Sequence, residues 1–156
     1  MILPGRQTLP LLLKKLTNLF SFLVPHNELL NIYKLYIRSV VEQSCIVWHS
    51  SITKGEILDI ERIQKVALRI ILKDQYISYE NALKICGLTT LSERRTHLAL
   101  KFAKKCILNP KTSSMFPVHN PTRRTRITGK FDITKAKTER LARSAIPFMQ
   151  RLLNDY

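Results

Sequence analysis

Two Thr-x-x-Glu segments, Thr53–Glu56 and Thr90–Glu93, constrain the fold of this chain more than any other feature. In such a capping box the threonine hydroxyl accepts from the amide of the glutamate, and the glutamate carboxylate accepts from the threonine amide. Each box precedes a stretch in which apolar residues recur every three or four positions, the period of an amphipathic helix. We therefore predict helices from about Thr53 to Leu72 and from Thr90 to Leu108, the second ended by Asn109-Pro110.

Other start and stop signals predict further helices. One runs roughly from Leu9 to Phe20 before Pro25, one from about Asn27 to Val47, and a short one from Tyr79 to Cys86, where Gly87 suits the left-handed conformation after a helix end. The apolar period predicts two inward-facing sets. They are Leu29, Tyr33, Tyr36, Ile37, Val40, Ser44 and Trp48 on the second helix, and Ile57, Ile60, Gln64, Ala67, Leu68 and Ile71 on the helix after Thr53.

After Pro110 the periodicity stops. Prolines, a glycine and many Thr and Arg residues predict loop or extended chain, until Pro147 suits the first turn of a short final helix. The predicted fold class is all-α, a small bundle of four to five helices with a basic, largely irregular C-terminal tail. We predict a helical domain over residues 1–109 and the tail over residues 110–156.

The formal charge of +15 comes from 26 Lys and Arg against 11 Asp and Glu. An excess of this size attracts polyanions, which makes RNA or single-stranded DNA the expected partner. Residues 1–109 hold 16 basic and 8 acidic side chains, whereas residues 110–156 hold 10 and 3. The tail is therefore the more basic part per residue.

Basic residues also recur at helical spacing, which puts them on shared helix faces. Such a face can neutralise phosphates without reading sequence, although a basic face is often only solvated. The candidate nucleic-acid-binding residues are Arg62, Lys65, Arg69 and Lys73 on one helix, Arg94, Lys101 and Lys105, accompanied by His97 and Lys104, on another, and Arg123, Arg124 and Arg126 in the tail. The aromatic residues Trp48, Tyr33 and Tyr36 could stack on bases, but their spacing favours the core.

Catalytic and metal chemistry has little support in the sequence. The four aspartates are dispersed, so they offer no paired carboxylates for two-metal phosphoryl transfer, and no catalytic residue is predicted. Cys45 and His49 could supply two metal ligands, but the favoured interpretation is a buried cysteine and a surface histidine beside Trp48. We expect no metal, cofactor or small-molecule substrate.

The three cysteines, Cys45, Cys86 and Cys106, are far apart and odd in number, which favours a reducing intracellular location over secretion. The sequence does not distinguish the cytoplasm from the nucleus. No apolar run approaches the length of about 20 residues that spans a bilayer, so no membrane partner is expected.

A series of segments resembles the region that follows the polymerase domain in non-LTR (LINE-type) retrotransposon reverse transcriptases. The similarity covers roughly Leu16 to Asn154, with Gln43 and Val66 as small departures from the family pattern. The matching segments are Ser39–Glu42, Val47–Ser51, Glu61–Lys65, Ala67–Ile71, Tyr79–Leu83, Gly87–Leu88, Thr90–Leu91, Glu93–Arg95, Lys101–Lys105, Asn109–Pro110, Thr138–Arg140 and Ser144–Asn154.

The resemblance implies helical structure that lies against the template or the template-primer. It carries over no catalytic residue, because the family's aspartates and its Tyr/Phe-x-Asp-Asp motif lie in the polymerase palm, N-terminal to this segment. Three hypotheses follow: a non-catalytic fragment that binds RNA or single-stranded DNA, the C-terminal part of an active RNA-directed DNA polymerase, and a helical interaction module. In the third, the apolar face of Asn27–Val47 would dock on a partner such as the missing polymerase domain.

Overall fold

Helices dominate the computed structural model, which describes residues 24–120 and 129–156 together with residues 10, 11, 13, 14, 17 and 18. The six positions between 10 and 18 are all helical, and the rest of the helix predicted over Leu9–Phe20 lies outside the described residues. The all-α class is confirmed, since β structure in the described ranges is a single bridge between Val118 and Phe131. The helices are α1 (His26–Ile32), α2 (Arg38–Glu42), α3 (Cys45–Trp48), α4 (Lys54–Leu72), α5 (Tyr79–Cys86), α6 (Leu91–Leu108), α7 (Glu139–Ala142) and α8 (Ala145–Asp155).

The chain divides into two compact units. The first comprises Met1–Gln43 and Thr53–Arg94, and the second comprises Ser44–Ile52 and Arg95–Tyr156. This division differs from the predicted boundary at residue 109, which rested on the loss of helical periodicity after Pro110. Periodicity marks where regular helices stop, whereas compactness depends on which segments share a core. Both α3 and most of α6 share their core with the C-terminal segment.

In the first unit, α4 begins and ends where the sequence predicts. Thr53 Oγ1 accepts from the Glu56 amide at 3.2 Å, and the Glu56 carboxylate accepts from the Thr53 amide at 2.8 Å, which completes the capping box. The inward face is confirmed except at Ile57, which is half-buried. Its buried residues are Ile60, Gln64, Ala67, Leu68 and Ile71, accompanied by Glu61 and Leu72.

The helix predicted from Asn27 to Val47 is interrupted. The π-helical turn Tyr33–Ile37 joins α1 to α2. The helix ends at Glu42 because Gln43 has a non-helical ψ of 123° and Ser44 is left-handed, with φ 53°. The prediction that Tyr36 and Ser44 face inward was therefore wrong: Tyr36 is 61% exposed and Ser44 is exposed. The buried residues fall at steps of four, a spacing that the wider π turn keeps on one face. They are Leu29, Tyr33, Ile37 and Val41.

The short helix α5 has the predicted bounds. The Ser78 hydroxyl accepts from the Asn81 amide at its start, and Gly87 follows its end with φ 59°. The Leu88 amide donates to Leu83 O at 2.9 Å and the Gly87 amide to Lys84 O at 3.2 Å, the hydrogen bonds of a Schellman motif.

The core of the second unit forms between α6, α8 and two phenylalanines of the irregular segment. It contains Ala99, Leu100, Ala103, Cys106, Phe116, Phe131, Met149 and Leu152. Small alanines on α6 allow close approach, and the larger side chains fill the space opposite them. Trp48 of α3 is also buried in this unit, as its spacing favoured.

Two amides of α8 hold the irregular segment in place. Gln150 accepts from the Thr134 amide at 2.7 Å and donates to Met115 O at 2.8 Å. Asn154 both accepts from the Phe131 amide and donates to Phe131 O, each at 2.9 Å. Apart from the one-turn 3-10 helix Ser113–Met115, the described backbone between α6 and α7 is irregular, yet it is fixed by side chains of the final helix. Pro147 lies in the first turn of α8, as predicted.

Two glycine-to-alanine substitutions in the first unit should change stability in opposite directions. Gly87→Ala should lower the free energy of unfolding by about 1 kcal/mol, because a side chain disfavours the left-handed conformation. Gly55→Ala should raise it by about 0.5 kcal/mol, since Gly55 is helical and the nearest atom to an added Cβ is Thr53 Oγ1, 3.9 Å away. Urea unfolding followed by far-ultraviolet circular dichroism measures both, and a shift of the same sign in both variants would contradict the assignment.

Candidate nucleic-acid interface

Three predicted phosphate contacts lie together on the solvent face of α4. Arg62, Lys65 and Arg69, here called the α4 stripe, are all exposed, and Leu58 on the same face is 66% exposed. The opposite face packs inside the first unit, so the helix presents these cations from a fixed backbone. Lys73 is exposed too, but it follows α4 with a positive φ of 43° and a non-helical ψ of −109°, so the helical stripe ends at Arg69.

Aromatic rings support two cations of the α4 stripe. Lys65 Nζ lies 5.1 Å from the ring centre of Tyr79, and the Arg69 guanidinium lies 5.3 Å from that of Tyr76. These cation–π contacts restrain long side chains that would otherwise be mobile. Arg62 has a weaker local partner, because its 3.9 Å ion pair with Asp59 is largely exposed on both sides and contributes little.

Arg94, a predicted phosphate contact on α6, is half-buried and forms an ion pair. Its Nε donates to Glu42 Oε1 at 2.5 Å, and Arg38 Nε lies 3.8 Å from the same oxygen. The Glu42 side chain is only 12% exposed, so this ion pair is partly shielded from water. A phosphate at Arg94 would have to compete with that carboxylate.

In the second unit, Lys101 and Lys105 lie exposed on α6 beside Lys104 and His97, on the side opposite Ala99 and Ala103. The predicted helical face is therefore present there, without Arg94. The tail residues Arg123, Arg124 and Arg126 lie outside the described residues.

A buried polar network lies behind the α4 stripe. The Gln64 side chain accepts from the Tyr33 hydroxyl at 2.6 Å and donates to the Tyr79 hydroxyl at 2.9 Å and to Thr89 O at 3.0 Å. Glu61 accepts from the Tyr79 hydroxyl and from the Leu91 amide. Burial raises the pKa of both tyrosines well above 10, so they remain hydroxyl donors at any physiological pH.

The network fixes the ring on which Lys65 rests. Sequence reasoning placed Gln64 on the inward face but gave it no partner. A glutamine within an otherwise apolar stripe is the signal that could have revealed the network, because a buried amide requires hydrogen-bond partners.

His49 is buried in the second unit, so the expectation of a surface histidine was wrong. Its Nδ1 accepts from Arg95 Nε at 3.2 Å, its Nε2 lies 3.2 Å from Thr96 Oγ1, and its ring meets Phe148 edge-on. The Arg95 guanidinium also lies 5.6 Å from the Trp48 ring centre. Both ring nitrogens are thus engaged by protein groups.

Within the described ranges, no group of three or more His, Cys, Asp or Glu side chains is placed to hold a metal ion. No helix in that part of the chain combines the length and the apolar character needed to cross a bilayer.

Comparison with known proteins gives no match. No family model, curated protein or solved structure is similar to this chain at a significant level.

Acid should destabilise the second unit through His49. Burial, with a smaller effect of Arg95, lowers the pKa of His49 from 6.5 to about 4. Between pH 6.5 and about 4, His49 binds a proton in the unfolded chain but not in the folded chain. The free energy of unfolding is therefore unaffected by His49 above pH 6.5 and falls by about 3 kcal/mol as the pH is lowered towards about 4.

Replacing His49 with Gln should remove this part of the pH dependence. The matched substitution His97→Gln, on the exposed face of α6, should retain it. Urea unfolding followed by the emission of Trp48, the single tryptophan of the chain, measures the effect. Equal pH slopes in the His49→Gln variant and the wild-type protein would rule out His49 as the titrating group.

Proposed function

We propose that this chain is a non-catalytic, sequence-tolerant binder of RNA or single-stranded DNA, with the α4 stripe as its principal contact in the first unit. The observation that carries the proposal is the placement of Arg62, Lys65 and Arg69 on one exposed face of a helix whose other face is packed. Cations at these positions contact successive backbone phosphates without reading the bases.

The charge around the stripe supports this proposal. Residues 62–73 contain four basic side chains and no acidic one. Lys101 and Lys105 offer a second exposed basic face on α6, and the tail contributes Arg123, Arg124 and Arg126 in sequence. The net charge of +15 adds long-range attraction to any polyanion.

The resemblance to the post-polymerase segment of non-LTR reverse transcriptases points to the same partner. In that setting the chain would act as the C-terminal part of an RNA-directed DNA polymerase and would hold template while a palm domain performs the chemistry. The non-catalytic fragment and the C-terminal part of a polymerase would both bind nucleic acid. A binding measurement on this chain therefore tests the activity that the two hypotheses share.

The interaction-module alternative is weakened by the packing of the first unit. It requires the apolar face of Asn27–Val47 to be open, but Leu29, Tyr33 and Ile37 are buried there, and Tyr33 is bonded to Gln64. Leu35 and Tyr36, 68% and 61% exposed, lie on the other side of the helix. Val47 is also 67% exposed but follows the break after Glu42, and two adjacent residues make a small apolar patch compared with a stable protein interface.

Neutralising the α4 stripe should weaken binding and flatten its salt dependence. The triple variant Arg62→Gln, Lys65→Gln, Arg69→Gln should reduce the slope of log affinity against log salt by about 2, because each single-strand phosphate contact contributes about 0.7. Fluorescence anisotropy with a labelled single-stranded RNA, titrated at several salt concentrations, measures this slope.

The matched control removes the same charge elsewhere. Lys84, Lys135 and Lys137 are exposed, and their replacement by Gln lowers the net charge equally. If the control triple weakens binding as much as the stripe triple, the effect is one of overall charge, and the α4 stripe is not the contact. Binding by the wild-type chain that does not respond to salt would overturn the phosphate-contact proposal.

A further inference from the structure

The pairing of Arg69 with Tyr76 suggests a function that exposed charge alone does not supply. Tyr76 follows the one-turn helix Lys73–Gln75, and its amide donates to Lys73 O at 3.1 Å, which fixes the backbone that carries the ring. The ring is half-buried, and the Arg69 guanidinium lies 5.3 Å from its centre. An aromatic ring is thus held beside the α4 stripe, within reach of a strand whose phosphates that stripe contacts.

We infer that Tyr76 and Arg69 form a stacking site for one unpaired base, so that the first unit prefers single strands to duplexes. The inference rests on the proposed function, because the phosphates must first be held by the α4 stripe. It adds a base-contacting residue and a discrimination between unpaired and paired strands that phosphate contacts alone do not provide.

Replacing the Arg69 guanidinium by a base on the face of the Tyr76 ring is favourable. A base offers a larger π face than a guanidinium, and base–aromatic stacking is generally stronger than an exposed cation–π contact. When the base occupies the ring, Arg69 turns to the adjacent phosphate and makes a charge-assisted hydrogen bond there. Both groups therefore keep a partner, and the bound strand gains a stack that a duplex cannot offer, because its base faces are already covered.

The neighbouring residues favour Tyr76 over Tyr79 for this role. The Tyr79 hydroxyl is bonded to Glu61 and Gln64, so that ring is fixed as the support for Lys65. Beside Tyr76, the Ile77 side chain is 83% exposed. An exposed isoleucine next to the stacking ring gives the sugar and the base edge an apolar surface.

The sequence-based candidates for stacking are less suitable. Trp48 and Tyr33 are buried at 4% and 1% exposure, so neither presents a ring face to a base. Tyr36 is 61% exposed, but no basic residue of the α4 stripe is paired with it. It is therefore the matched control: an exposed tyrosine in the same unit that takes no part in the described cation–aromatic pairs.

The test compares three labelled probes with the full chain: an oligouridylate of about 12 nucleotides, an abasic strand of equal length, and a duplex of equal length. Tyr76→Leu should weaken binding of the oligouridylate about tenfold and weaken binding of the abasic strand and the duplex much less, because those two probes lose only the restraint on Arg69. Tyr36→Leu should leave all three unchanged. Far-ultraviolet circular dichroism verifies that both variants keep the wild-type helix content.

A second variant gives a readout that does not depend on affinity. In Tyr76→Trp a stacked base quenches the new indole emission, so oligouridylate should quench it and the abasic strand should not. Equal loss of affinity for all three probes in Tyr76→Leu, or no loss for oligouridylate, would overturn the stacking site while leaving salt-dependent binding by the α4 stripe intact. Failure of the wild-type chain to bind any probe would overturn the proposed function itself, and the stacking site with it.

Discussion

The Gln64 side chain joins three segments of the first unit that lie far apart in sequence. Its side-chain carbonyl accepts a hydrogen bond from the Tyr33 hydroxyl of the π turn. Its side-chain NH2 group donates to the Tyr79 hydroxyl at the start of α5 and to Thr89 O before α6. In a buried site each lost hydrogen bond leaves a partner unsatisfied, at a cost of about 1–3 kcal/mol. These hydrogen bonds therefore favour one register of α4 against its neighbouring segments, whereas apolar contacts alone would allow several. They also determine where the Tyr79 ring lies, and so where Lys65 rests.

The π turn carries Tyr33, whose hydroxyl donates to Gln64 in this network. Tyr33 is its first residue, and the wide turn keeps Leu29, Tyr33, Ile37 and Val41 on one buried face although they are spaced four apart. A regular α-helix would rotate such a series progressively away from the core. The turn therefore allows one long helical segment to pack along its length while its Tyr33 hydroxyl still reaches Gln64.

Local signals predicted the helices well, because capping and termination depend on neighbouring residues. Thr53 with Glu56 and Gly87 after α5 are such signals, and the observed bounds agree with them. The failures have a different cause. Ser44 adopts a left-handed conformation that its residue type does not announce, Arg94 is bonded to Glu42 across 52 positions, and His49 to Arg95 across 46. Helical periodicity identifies which face a residue occupies, but it carries no information on which distant residue will lie opposite. The positions of Tyr76 and Tyr79 beside Arg69 and Lys65 were unpredictable for the same reason.

The aromatic residues of this chain are divided unevenly between its two units. Four of the five tyrosines, at positions 33, 36, 76 and 79, belong to the first unit, whereas the single tryptophan, Trp48, belongs to the second. Tyrosine and tryptophan differ in absorption and emission, so each unit carries its own intrinsic chromophore without any label. Comparing the denaturation curves of the two chromophores therefore distinguishes a single cooperative transition from two successive ones.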